Sequence, residues 1–216
     1  MAFAAGMYAF PGGAVDPCDA DAALPWVGPP AAVWAQRLGQ PEGVARAIVC
    51  AAARELFEET GILLAGTDGS LVGHTACWEA ERAALAARTL AFSDFLGARG
   101  LALRTDLLAA WSRWITPESH PHRYDTYFFL AALPDGQCPR MAGGEADLAT
   151  WLRPADRGGV PMLPPTRVTL EELSAAAYRL PRGGATVPAL LAAAGTRDAA
   201  TPAHLLLPGV PGVAAS

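Results

Sequence analysis

The sequence contains no lysine. All 16 of its basic residues are arginine, so chemistry that needs a lysine, such as a Schiff base or the lysine of a phosphate-binding P-loop, is excluded. It also lacks any run of basic residues, and its formal net charge is -5. A chain of that charge is not built to hold nucleic acid by neutralising phosphates. Cysteine is sparse: Cys18, Cys50, Cys77 and Cys138 form no Cys-x-x-Cys pair, and 216 residues can bury a core without a disulfide framework. No basic segment followed by an apolar one opens the sequence, and its apolar stretches are broken by Arg, Pro or Gly well short of a membrane span. A cytoplasmic, membrane-free protein of one domain is therefore expected.

What is present is organised around one helix. Residues 7–10 are apolar and stop at Pro11-Gly12-Gly13, which predicts a short strand ended by a turn. Residues 14–40 are rich in Pro, Asp and Gly without a sustained period and predict a long loop or insertion. A helix is predicted from Pro41 or Glu42 to Thr60, with proline in the first turn and Gly61 as the left-handed stop. On its wheel Val49, Ala53, Leu56 and Phe57 share the packing face, opposite Glu55, Glu58 and Glu59. Further on, the pattern predicts a strand at 62–65, a helix at 79–96, strands at 111–115, 124–133 and 148–152, and a helix at 166–178. Beyond Pro181 the periodicity dissolves, with one short helix near Leu190. Residues 1–178 form the expected domain and 179–216 a Pro/Gly/Ala-rich tail.

The chemistry resides in Arg54-Glu55-Leu56-Phe57-Glu58-Glu59-Thr60-Gly61-Ile62, with Pro11-Gly12-Gly13 upstream. A bare Glu-x-x-Glu-Glu would be a solvated helix face. Three carboxylates at i, i+3 and i+4 repel one another, and a hard divalent cation with oxygen ligands would relieve them. Such a centre activates water and neutralises charge on a phosphoryl group.

The order of residues from Arg54 to Ile62 resembles the second half of the Nudix box, and Gly12-Gly13 resembles its opening. The resemblance implies an α/β fold, a Nudix-type α/β/α sandwich with a mixed sheet, into which 79–96 would fit as a helical insert. It implies Glu55, Glu58 and Glu59 as ligands of magnesium, with manganese as the alternative. Glu58 and Glu59 would be the principal ligands and Glu55 a further ligand or a water-orienting base, Arg54 would hold the carboxylates, and Gly12 and Gly13 would let the backbone approach metal and phosphates. There are two departures. The family's glutamate eight residues before the arginine is replaced by Arg46, and Glu42 is out of register. The box is also split by the insertion at 14–40. The split resembles a branch that includes the peroxisomal coenzyme A diphosphatases and their bacterial relatives. So do Arg113-Trp114-Ile115-Thr116-Pro117-Glu118, Tyr124-Asp125-Thr126-Tyr127-Phe128-Phe129, Trp151-Leu152-Arg153-Pro154 and Leu163-Pro164-Pro165-Thr166-Arg167. The likeness spans roughly Phe3 to Tyr178. Since the family's sheets carry a strand and its hairpin partner ahead of Pro-Gly-Gly, and ten residues precede Pro11, an earlier natural start and a missing first strand are expected.

Other residues are weaker candidates. The resemblance makes Glu145, after Gly143-Gly144, a further metal-binding or general-base glutamate. Arginine geometry suits Arg123 and Arg167 to phosphate contact, and Arg167 is favoured because its segment resembles the family. Tyr8, Trp26 and Trp34 suit either base stacking or the core. His120-Pro121-His122 lacks a third ligand and predicts a surface loop. The implied function is hydrolysis of an acid anhydride, the diphosphate of a small nucleotide-derived metabolite, with coenzyme A or acyl-coenzyme A as substrate. A nucleotide sugar, dinucleotide or oxidised nucleotide is the alternative within the enzyme class, and a non-catalytic nucleotide-sensing module the alternative outside it. The oligomeric state stays open, a homodimer included.

Overall fold

The structure, a computed structural model, describes residues 6–140, 151–156 and 158–179. The expected tail, Glu145 and the greater part of the strand at 148–152 lie outside the described residues, and Trp151 and Leu152 belong to no strand.

The long helix spans Glu42–Thr60, with Pro41 as its N-cap and Gly61 left-handed at its C-cap, φ 71°. Anticipated from Pro41, Gly61 and the alanine-rich interior, it keeps its expected bounds. Ala45, Val49, Ala53 and Phe57, each four residues from the next, form its fully buried stripe. A second buried row lies toward the acidic face: Cys50, Arg54 and Glu58 are buried too, whereas Leu56, expected on the packing face, is only half-buried.

The segment 14–40 is not a featureless loop. It contains a 3-10 turn, Pro17–Ala20, a strand β1, Trp26–Val27, and a helix α1, Ala31–Leu38, which precedes the long helix α2. Pro30 and the left-handed Gly39 bound α1, and its Trp34 and Leu38, one turn apart, are fully buried in the core around α2. Two turns are too short to show a period in a Pro/Gly-rich sequence, and burial against a neighbour stabilises them.

The helix expected at 79–96 is two, α3 at Glu79–Ala86 and α4 at Phe92–Gly97. Between them the Thr89 amide donates to Ala84 O at 2.9 Å and the Arg88 amide to Leu85 O at 2.8 Å, a Schellman stop with Arg88 at φ 57°. The reversal lets Phe95 stack on Phe57 at 5.4 Å and meet Trp78 edge-on at 5.6 Å.

Strands β2, Ala65–Gly66, and β3, Ala102–Arg104, complete a mixed three-stranded sheet, with β3 central, parallel to β1 and antiparallel to β2. Of the strand expected at 62–65, only Ala65 pairs in the ladder. The Gln137 amide instead bonds Leu63 N at 2.8 Å and Leu63 O at 2.9 Å, replacing a neighbouring strand. Strands β4, Leu108–Ile115, and β5, Asp125–Ala131, form an antiparallel ribbon. Its register shifts between Ala110 and Ser112, and the intervening Trp111 packs with Ala109 against Leu173 and donates to Glu172 at 3.0 Å. Both residues belong to α5, Pro164–Arg179. The expected strand at 7–10 is reduced to a single bridge from Tyr8 to Met162. The α/β class with a mixed sheet agrees with the expectation, and no described helix is long and apolar enough to cross a membrane.

Candidate active site

The last two turns of α2 converge on one guanidinium. Arg54 donates through Nε and Nη2 to both oxygens of Asp19, at 2.9 and 3.0 Å. Nη1 serves Glu55 at 2.8 Å and Glu58 at 3.0 Å, and Nη2 also reaches Ala14 O at 2.9 Å. All five N–H groups of the fork are thereby used. Burial opposes the charge on Arg54, but the hydrogen bonds and charges of Asp19, Glu55 and Glu58 outweigh it and hold its pKa above the ordinary arginine value.

Asp19 was not singled out in the sequence, and the fold adds it to the carboxylates gathered on Arg54. It stands six residues after Gly13, is 1% exposed, and also receives the Asp16 amide at 2.7 Å and the Cys50 thiol at 3.4 Å. Asp19 comes from within the segment 14–40 and reaches Arg54 across 35 positions of the chain. Arg46, at the standard position, points elsewhere: it caps the carbonyls of Asp21, Ala22 and Leu24 and stacks on Trp26. A signal for Asp19 existed in the Asp16-Pro17-Cys18-Asp19 order, a capping box that closes the 3-10 turn.

The glycines approach the same carboxylates. The Gly12 amide donates to Glu59 Oε1 at 3.1 Å. At Gly13 there is no room for a side chain, since a Cβ would lie 1.8 Å from Glu55 Oε1. Behind the helix end, the buried Arg82 donates to Glu58 O at 2.8 Å and Glu59 O at 2.9 Å, satisfying carbonyls of the last turn. Gly12, Gly13, Arg54, Glu55, Glu58 and Glu59 are thus brought together. Arg167 is exposed in the first turn of α5, and Glu145 lies outside the described residues. Arg123 is exposed and donates to Thr116 O. Trp34 is core, Trp26 donates to Pro29 O, Tyr8 is exposed, and His120 and His122 lie in an irregular segment.

Asp19, Glu55 and Glu58 share a single arginine, so negative charge is in excess. Burial pushes the Glu55 and Glu58 carboxyls above the ordinary glutamate value even though Arg54 pulls them down. Among the described residues no three acidic, His or Cys side chains are disposed as a ready-made metal cage. The chemistry of the donors nevertheless fits a hard divalent cation: they are carboxylate oxygens, partly desolvated, with charge left uncompensated.

A cleft of about 650 Å³ opens on the other flank of α2, between Val44, Ala47 and Leu56 and the β4–β5 ribbon. It touches Gly12 and Gly13 but none of the clustered carboxylates. Its few polar groups are largely satisfied internally: Arg113 is paired with Asp125, and Gln40 donates to Tyr127 at 2.7 Å. The carboxylate cluster, not this apolar cleft, carries the charge that a phosphoryl reaction needs.

A crystal structure described as a NUDIX hydrolase from Alicyclobacillus acidocaldarius superposes on the chain with a TM-score of 0.64 at 33% sequence identity, covering 79% of this chain and 77% of that one. The chain belongs to the Nudix hydrolase family. A protein of Caenorhabditis elegans named nudix hydrolase 7 is 27% identical over 164 residues, which is 74% of this chain. The chain spans about half the length of that relative, 47%. No family model matches the chain. Asp19 and Arg54 join the segment after Pro11-Gly12-Gly13 to the carboxylate-bearing helix α2.

Proposed function

We propose that this protein is a divalent-metal-dependent hydrolase that cleaves the diphosphate linkage of a small nucleotide-derived metabolite. The observation that carries the proposal is the buried cluster of Asp19, Glu55 and Glu58 on Arg54, with Glu59 held by the Gly12 amide. Glu55, Glu58 and Glu59 would hold magnesium, or manganese in its place. When bound, the metal supplies charge neutralisation at phosphorus and a more acidic water.

The chain's own residues do the rest. Arg54 directs four of its five N–H groups to the carboxylates and so orients them, an arrangement set before substrate arrives. Water attacks one phosphorus, the new P–O bond forms as the bridging P–O bond breaks, and Glu55 is assigned the water's proton. Burial raises the Glu55 carboxyl in the direction a general base requires. The leaving phosphate departs with the bridging oxygen, giving two phosphorylated products. Four unpaired cysteines suit a reducing, cytoplasmic setting.

Within this class we assign coenzyme A or acyl-coenzyme A as substrate. The assignment is supported by the split box and by the resemblance of the segments at Trp114 and Leu163. The test is a panel of coenzyme A, dephospho-coenzyme A, a nucleotide sugar, a dinucleotide and an oxidised nucleotide, with magnesium and with chelator, products identified. Chelator-sensitive release of 4'-phosphopantetheine and adenosine 3',5'-bisphosphate is expected. Faster cleavage of the nucleotide sugar would overturn the coenzyme A assignment alone. Absence of hydrolysis across the panel, with binding retained, would replace the enzyme by a nucleotide-sensing module.

A further inference from the structure

Arg88 occupies a backbone position that local sequence rules reserve for glycine. It is the left-handed residue of the Schellman stop that ends α3, at φ 57°, the single non-glycine residue with positive φ among the described residues. An L-residue with a long side chain is disfavoured there, and glycine would close the same two hydrogen bonds without strain. Nothing in the turn itself calls for arginine, so the reason lies in where the side chain goes.

It goes to the carboxylate site. Arg88 Nε lies 3.5 Å from Asp16 Oδ2, and the side chain is 68% exposed. Asp16 is the N-cap of the turn that presents Asp19 to Arg54. The positive charge of Arg88 also acts on Glu58, where it opposes the effect of burial. The other arginines around the site are committed: every N–H of Arg54 is taken by Asp19, Glu55, Glu58 and Ala14. Arg82 is buried and bound to Glu58 O, Glu59 O, Arg140 O and Glu79. Arg88 has one long, exposed ion pair, a weak contact that a stronger anion displaces.

We infer that Arg88 is a substrate-binding residue, whose guanidinium swings from Asp16 to a phosphate oxygen of the nucleoside diphosphate lying on the Glu55, Glu58 and Glu59 carboxylates. The planar fork suits two-point contact with a phosphate, and its position outside the saturated cluster leaves the orientation of the carboxylates undisturbed. The inference rests on the reading of this site as a diphosphate site.

The experiment compares wild type with Arg88→Gly, Arg88→Gln and, as an equal loss of charge elsewhere, Arg104→Ala. It uses two readouts: affinity for α,β-methylene adenosine diphosphate, which cannot be hydrolysed, and steady-state hydrolysis of the best panel substrate. Arg88→Gly should be at least as heat-stable as wild type, because glycine relieves the left-handed backbone. It should bind the analogue about tenfold more weakly and raise KM by a similar factor, about 1.4 kcal/mol, with kcat less affected. Arg88→Gln should lose affinity likewise, and Arg104→Ala should not. Unchanged affinity and KM in a folded Arg88→Gly protein would overturn the inference while hydrolysis by wild type left the function standing. Wild type that binds the analogue but hydrolyses nothing would reverse that outcome, and the affinity comparison would still decide the role of Arg88.

Discussion

Asp19 and Arg54 are 35 positions apart in the chain and meet in a two-pronged salt bridge, with oxygens at 2.9 and 3.0 Å from Nε and Nη2 and both side chains buried. The bridge ties the loop after Pro-Gly-Gly to the helix that bears the carboxylates. Asp19→Ala would leave the Arg54 charge buried with its fork half-filled, which costs about 3–5 kcal/mol. Chemical denaturation should show that loss, with Asp19→Asn less affected. A stability equal to wild type in Asp19→Ala would show that the bridge contributes nothing.

Glu58→Gln removes a proposed metal ligand and one acceptor of Arg54. Hydrolysis should fall by more than the roughly 10–100-fold typical of residues one shell further out. The fold should persist, and the metal-free melting temperature should not drop, because like-charge repulsion is relieved. Wild-type turnover in a folded Glu58→Gln, Glu59→Gln double variant would remove the metal role from this helix face.

Gly13→Ala isolates positioning from stability. The new Cβ would overlap the Glu55 carboxylate, 1.8 Å from Oε1, and the flexible end of that side chain can move aside. Misplacement by about 1 Å costs on the order of 100-fold in rate, so kcat should fall by about that factor while the melting temperature changes little. Equal kcat in the two proteins would mean that Glu55 can act from its displaced position.

The pH dependence of stability follows from burial of Glu55 and Glu58, which raises both carboxyls in the folded state. The folded protein therefore holds their protons more tightly than the unfolded chain does, and its stability falls as pH rises through the interval above the ordinary glutamate value. Acids held low, such as Asp16 and Asp106, act in the opposite sense and in a lower pH range. In chelator, the melting temperature should decline across the upper interval. With saturating magnesium, whose binding requires the ionised carboxylates, it should rise there. Glu55→Gln and Glu58→Gln should each flatten the chelator profile. A rising chelator profile in wild type would contradict the burial of these groups.

Phe57 serves as the core control. It is fully buried and stacks on Phe95 at 5.4 Å, so Phe57→Ala should destabilise by about 3–5 kcal/mol. The residual folded fraction should keep its KM. A changed KM would mean that the core side of α2 also shapes the site.

The sequence alone determined the helix and its cargo. Pro41, Gly61, an alanine-rich interior and the carboxylate spacing are local properties, encoded within five residues of where they act, so α2 and the grouping of Glu55, Glu58 and Glu59 were legible in it. The β4–β5 ribbon was legible for the same reason, through its aromatic and aliphatic residues. Only the tertiary structure decided the rest. Asp19 partners Arg54 because the inserted segment folds α1 onto α2 and returns the chain to the helix, and no local pattern encodes a contact at that separation. The break at Arg88 was invisible because arginine gives no stop signal, and burial of Phe95 against Phe57 and Trp78 outweighs the helical preference of the residues between α3 and α4. The burial of Glu58, which raises its pKa, likewise depends on what packs around it, and the helical wheel, which records direction but not neighbours, placed it only opposite the packing face.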